Sequence, residues 1–146
     1  MGLFDAFKRP STDLRQPRPE SFEGSGWAVF EHLIDLDIED EAAFAKMTPE
    51  QQAVFTFNLA RQEVNSSGFD SYLNSYSERF DKEMANFPKI APGVGELVAE
   101  AVELYKADAD SDFDELDDRF SALEGETGLD DVVDTYIAAN PDGFFR

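Results

Sequence analysis

The sequence predicts an all-α fold: one compact single-domain helical bundle of about six helices behind an N-terminal tail. Apolar residues recur at helical spacing along the chain, and strand-like alternation is nearly absent. Thr48-Pro49-Glu50-Gln51 is a clear helix start, in which Thr48 caps, Pro49 takes the first helical position and Gln51 completes a capping box.

Residues 1–19 hold four basic and two acidic side chains, with Pro10, Pro17 and Pro19 among them. Residues 1–24 are therefore expected to be a flexible tail, frayed rather than docked through Phe4 and Phe7, and residues 25–146 to be the domain. In the first helix Trp27, Phe30, Leu33 and Ile34 share a face; the alternation Asp35-Leu36-Asp37-Ile38 places its end near Leu36. From Pro49 to about Val64 a second helix is apolar nearly all round, as expected of a central element. Ser66-Ser67-Gly68 breaks the chain before an aromatic helix bearing Phe69, Tyr72, Leu73, Tyr76 and Phe80.

Past the turn at Pro88, Pro92 and Gly93, three helices each pair an apolar stripe with an acidic one. Leu97, Val98, Ala101, Leu104 and Tyr105 oppose Glu96, Glu100 and Glu103. Phe113, Leu116, Phe120 and Leu123 oppose Asp114, Glu115 and Asp118. Leu129, Val132, Val133, Tyr136 and Ile137 oppose Asp130, Asp131 and Asp134.

A chain of 146 residues is long enough for one real core, burying roughly 68–70% of its unfolded surface. Its net charge of -20 would suit a disordered chain, but fourteen Phe, four Tyr and one Trp argue for a folded body with a charged skin. With no Cys there are no disulfides, thiolate metal sites or cysteine nucleophiles, and the cytoplasm is the expected compartment. The opening Met1–Pro10 has no stretch apolar enough for a signal peptide or membrane span.

Three segments carry a resemblance: Glu63-Val64 leading to Gly68-Phe69-Asp70-Ser71-Tyr72-Leu73-Asn74, then Asp114-Glu115-Leu116-Asp117-Asp118-Arg119-Phe120, and finally Tyr136-Ile137-Ala138-Ala139-Asn140-Pro141 with Phe144-Phe145. Together they make residues 25–146 resemble the DMP-type DNA-mimic protein family. This chain reads Ser66-Ser67-Gly68-Phe69 where the family usually reads Asn-Gly-Gly-Phe. The resemblance implies a helical domain and, through the family's acidic member, occupation of the DNA-binding site of a protein such as a transcriptional regulator.

Residues 100–142 hold fifteen Asp or Glu against Lys106 and Arg119 alone. Like charges one helical turn apart cost about 0.2–0.5 kcal/mol per pair, so such rows are not free of cost to the fold. Glu96, Glu100, Glu103, Asp114, Glu115, Asp118, Asp130, Asp131 and Asp134 are thus the expected partner-binding surface. Against this stands solubility, together with favourable placement of acids near helix starts. Asp108, Asp110, Asp112 and Asp114 imitate the opening of a calcium loop, but Phe113 stands where its Gly turns and Arg119 where its bidentate Glu binds. His32 is the only histidine, and no phosphate loop or nucleophile elbow is present. The expectation is therefore no enzyme, no metal and no cofactor. The charge also opposes direct nucleic-acid binding, no membrane partner is expected, and homodimer formation stays open. The alternative is an intracellular, immunity-type helical protein that binds its partner through an apolar groove without mimicking DNA.

Overall fold

The computed structural model describes residues 13–39 and 42–146; these are mainly helical, and no strand occurs among them. The helices are α1 (Ser25–Glu39), α2 (Ala43–Lys46), α3 (Pro49–Tyr76), α4 (Phe80–Glu83), α5 (Asn86–Ile90), α6 (Pro92–Ala107), α7 (Asp114–Thr127) and α8 (Leu129–Ala139). Short 3-10 turns cover Ser77–Arg79 and Pro141–Gly143.

The start of α3 follows its sequence signal closely. Gln51 N donates to Thr48 Oγ1 at 3.1 Å and Thr48 N donates to Gln51 Oε1 at 2.9 Å, which satisfies two backbone donors that a helix start otherwise leaves open. Ala53, Val54, Phe55, Phe57, Leu59 and Ala60 are all buried, because α1, α5, α6 and α7 surround this helix. Aromatic pairs knit the layers: Phe30 meets Phe55 at 5.9 Å, Phe57 meets Phe87 at 6.2 Å, and Phe69 meets Phe120 edge-on at 5.7 Å.

Three boundaries differ from the sequence expectation. α1 continues through Leu36 to Glu39, because no strand lies among the described residues to use the two-residue alternation there. Ser66 and Ser67 remain helical, and only Gly68 departs from helical geometry, at φ 83° and ψ 170°. The aromatic helix stops at Tyr76, whose φ of -123° leaves the helical region, so Phe80 opens α4 instead. Phe80 is still buried, packed 6.1 Å from Tyr72 and 6.0 Å from Tyr105.

Packing begins before the expected tail boundary at residue 24. Gln16 N donates to Phe144 O and Arg146 N to Gln16 O, each at 3.0 Å, while Phe22 stacks 5.8 Å from Phe145. Leu14 packs on the core, and its carbonyl lies 3.0 Å from His32 Nε2. Pro17 and Pro19 suit this extended docking, since they need no backbone N–H and favour straight chain. Phe4 and Phe7 lie outside the described residues. Deleting residues 1–23 should therefore cost about 2 kcal/mol more than deleting 1–12, through lost apolar burial and backbone bonds. Thermal melting of the two truncations should separate by about 5 °C, and coincident midpoints would show that residues 13–23 only rest on the surface.

Candidate functional site

The last three helices lie side by side, α7 packing against α6 on one flank and α8 on the other. Their apolar stripes face inward as the spacing requires, with Leu97, Val98, Ala101, Phe113, Leu116, Phe120, Leu129, Val133 and Ile137 buried. That placement pushes the acidic stripes outward. Glu96, Glu100 and Glu103 on α6 are exposed, as are Asp114, Glu115 and Asp118 on α7 and Asp131 on α8.

Two of the expected surface acids also make long-range bonds within the fold. Asp134 is half-buried and accepts bonds from Gly24 N at 2.8 Å and Gly26 N at 2.7 Å, so it closes the start of α1 from another helix. Asp130 accepts from Trp27 Nε1 at 2.7 Å and from Arg61 Nη2 at 2.8 Å. The Arg61 hydrogen bond holds the Asp130 carboxyl below the usual carboxylate range. The structure thus brings α6 and α7 together as an acidic surface, keeps Asp131 and the bonded but exposed Asp130 on it, and withdraws Asp134.

Residues 96–119 carry ten carboxylates and only two cations, Lys106 and Arg119. Arg119 Nη1 bridges to Glu100 at 2.9 Å, linking α7 to α6, while Lys106 Nζ turns to Asp81 at 3.1 Å. Both pairs are exposed and worth little to stability. Asp108 and Asp112 accept from the backbone N–H groups of Asp110 and Asp114, at 3.0 and 2.9 Å, so these carboxylates shape the loop leading into α7. Among the described residues no group of three or more acidic or histidine side chains is placed to hold a metal ion. Nor is any described helix long and apolar enough to cross a membrane.

Asp117 and Glu124 are the half-buried acids on α7. Asp117 bonds to α3. It accepts from Phe69 N at 2.8 Å and so caps the half of α3 that restarts after Gly68. Burial pushes its carboxyl upward; the Phe69 bond opposes that, and Asp114, Asp118 and Asp70 add to it.

Sequence reasoning missed Arg61. Its side chain is 4% exposed and makes two bonds to Glu124, at 2.6 and 2.9 Å, besides its bonds to Asp130 and to Asn58 Oδ1 at 3.0 Å. The guanidinium also lies 5.0 Å over the Trp27 ring. Burial alone would lower its basicity, but the bonds it donates to Glu124 and Asp130 outweigh burial and raise it. A signal was available: Arg61 is the only cation from Pro49 to Val64, on a helix apolar nearly all round, where a charge needs buried partners.

A family model described as DMP19-like protein matches residues 45–140 of the chain. No curated protein and no solved structure matches it.

Proposed function

The chain belongs to the DMP19-like protein family, and on that footing we propose that it is a non-catalytic acidic interaction module that mimics DNA. It occupies the DNA-binding site of a DNA-binding protein such as a transcriptional regulator, works in the cytoplasm, and needs no cofactor. The observation that carries this reading is the pair of neighbouring helices α6 and α7, whose outward carboxylates greatly outnumber their cations. A sixteen-residue helix such as α6 runs about 24 Å, and acids one turn apart are spaced by about 6 Å along it. B-DNA offers its binders a denser array, about one charge per 1.7 Å of axis, so two rows acting together approach it better than one. Both helices are pinned to α3 through buried side chains, which gives the array the rigidity that a charged tail lacks.

The test replaces Glu96, Glu100, Glu103, Asp114, Glu115 and Asp118 with Gln or Asn. A basic DNA-binding protein captured by the parent chain supplies the partner, and its labelled DNA the competitor. The neutralised variant should fold as well as the parent, since it relieves like-charge pairs, but displace DNA at least tenfold less well. The loss should fall mainly on the association rate, and the salt dependence of binding should flatten. Asp130→Asn and Asp134→Asn should instead affect melting. A neutralised variant that displaces DNA as well as the parent would overturn the reading.

A further inference from the structure

α8 uses its two sides differently. Leu129, Val133 and Ile137 are buried, whereas Val132 and Tyr136 are half-buried and Thr135 and Ala139 are exposed. Val132 and Ile90 both line a cleft of about 260 Å³ between the start of α6, the end of α7 and the start of α8. The same two residues line a second cleft, of about 340 Å³, that continues along α8 past Tyr136. The shared wall makes these one apolar groove.

Its α8 edge is acidic. Residues 120–139 contain no Lys or Arg; Glu124, Asp130 and Asp134 make internal bonds, and Glu126, Asp130 and Asp131 are exposed. Asp131 lines the groove itself. Lys89 adjoins Ile90 in sequence, and its Nζ donates to Asn86 Oδ1 at 3.3 Å. The walls are helices, which present no strand edge to pair with an extended peptide.

We propose that this groove receives a cationic amphipathic helix of the partner, its apolar stripe lying across Ile90, Val132 and Tyr136 and its Lys or Arg side chains meeting Asp131 and Glu126. A helix satisfies its own backbone and needs only apolar area and charge from the groove. A second copy of this chain fits poorly, because it would bring the same acidic edges face to face. Assigning the helix to a DNA-binding protein rests on the mimicry reading; the groove rests on its geometry.

The probe is an 18-residue Leu/Lys peptide with Leu at helical spacing, beside a scrambled peptide of equal composition. In amide correlation spectra the helical peptide should perturb Ile90, Leu123, Val132 and Tyr136, and the scrambled one should bind at least tenfold more weakly. Val132→Lys should weaken binding at least tenfold; Thr135→Lys, at an exposed position that cannot unsettle the core, should do the same. The variant neutralised on α6 and α7 should keep the groove perturbations. Equal binding of both peptides, perturbations confined to the α6 and α7 acids, or self-association of the parent lost in Val132→Lys would each overturn the groove assignment. Groove binding without competition against DNA would support the groove and remove mimicry, and the reverse result would remove the groove alone.

Discussion

Arg61→Ala is expected to lower stability by about 3 kcal/mol, the loss typical of removing one partner from a buried charge network. The substitution leaves the fully buried Asn58 without the Arg61 donor on its Oδ1 and strips Glu124 of two bonds. It also removes the cation above Trp27. For a domain of this size the melting midpoint should fall by about 10 °C, with a red-shifted Trp27 emission as the junction between α1 and α8 loosens. Asp130→Asn should cost only about 0.2–1 kcal/mol, because that carboxylate is 62% exposed and rehydrates.

The acid limb carries a second signature of the same network. Asp130 sits below its ordinary range in the fold, chiefly through the Arg61 hydrogen bond. Its contribution is therefore present above the unfolded value of 3.8 and is lost as the pH falls through the lowered folded value. Arg61→Ala should remove that part of the acid dependence. A variant melting within 2 °C of the parent would mean that Arg61 is a passenger in the core.

Local periodicity revealed what local geometry decides. The capping box at Thr48, the inward stripes of α6, α7 and α8, and a break at Gly68 are all set within a few residues, and all appear in the structure. The acids placed opposite the apolar stripes of α6 and α7 are exposed in the structure. Periodicity failed on α8, since Asp134 is captured by backbone donors 108 and 110 residues away. Asp130 is captured in the same manner by Arg61, 69 residues away. No helical wheel shows which outward acid will meet a donor from a distant turn. The tail fails for the same reason: its prolines announce extended chain, but whether extended chain docks depends on Phe144 and Phe145 at the opposite terminus.

The segments that carry the family resemblance are joints of the fold, which makes Gly68 the second sensitive position. Gly68 and Phe69 meet Asp117 of the second segment, and Phe69 packs edge-on against Phe120 of the same segment. With φ 83° and ψ 170°, Gly68 occupies a region closed to side-chain-bearing residues, at a strain of about 1–3 kcal/mol for any replacement. An added Cβ would also stand 2.8 Å from Asp117 Oδ2, forcing that carboxylate off the Phe69 N–H it caps. Gly68→Ala should therefore cost about 3 kcal/mol and lower the midpoint by about 10 °C at every pH. Asp117→Asn should behave differently, since an amide oxygen can still accept from Phe69 while the charge disappears. The Asp117 carboxyl is raised in the fold, first by burial, so its contribution is fully present below its ordinary value and is lost as the pH rises through the raised one. Asp117→Asn should then equal or exceed the parent at neutral pH, with the gap closing in acid, whereas Asp117→Ala should destabilise at both. If Asn proves as damaging as Ala at neutral pH, the ionised carboxylate itself is the cap; if Gly68→Ala melts like the parent, the joint between the two halves of α3 is not strained.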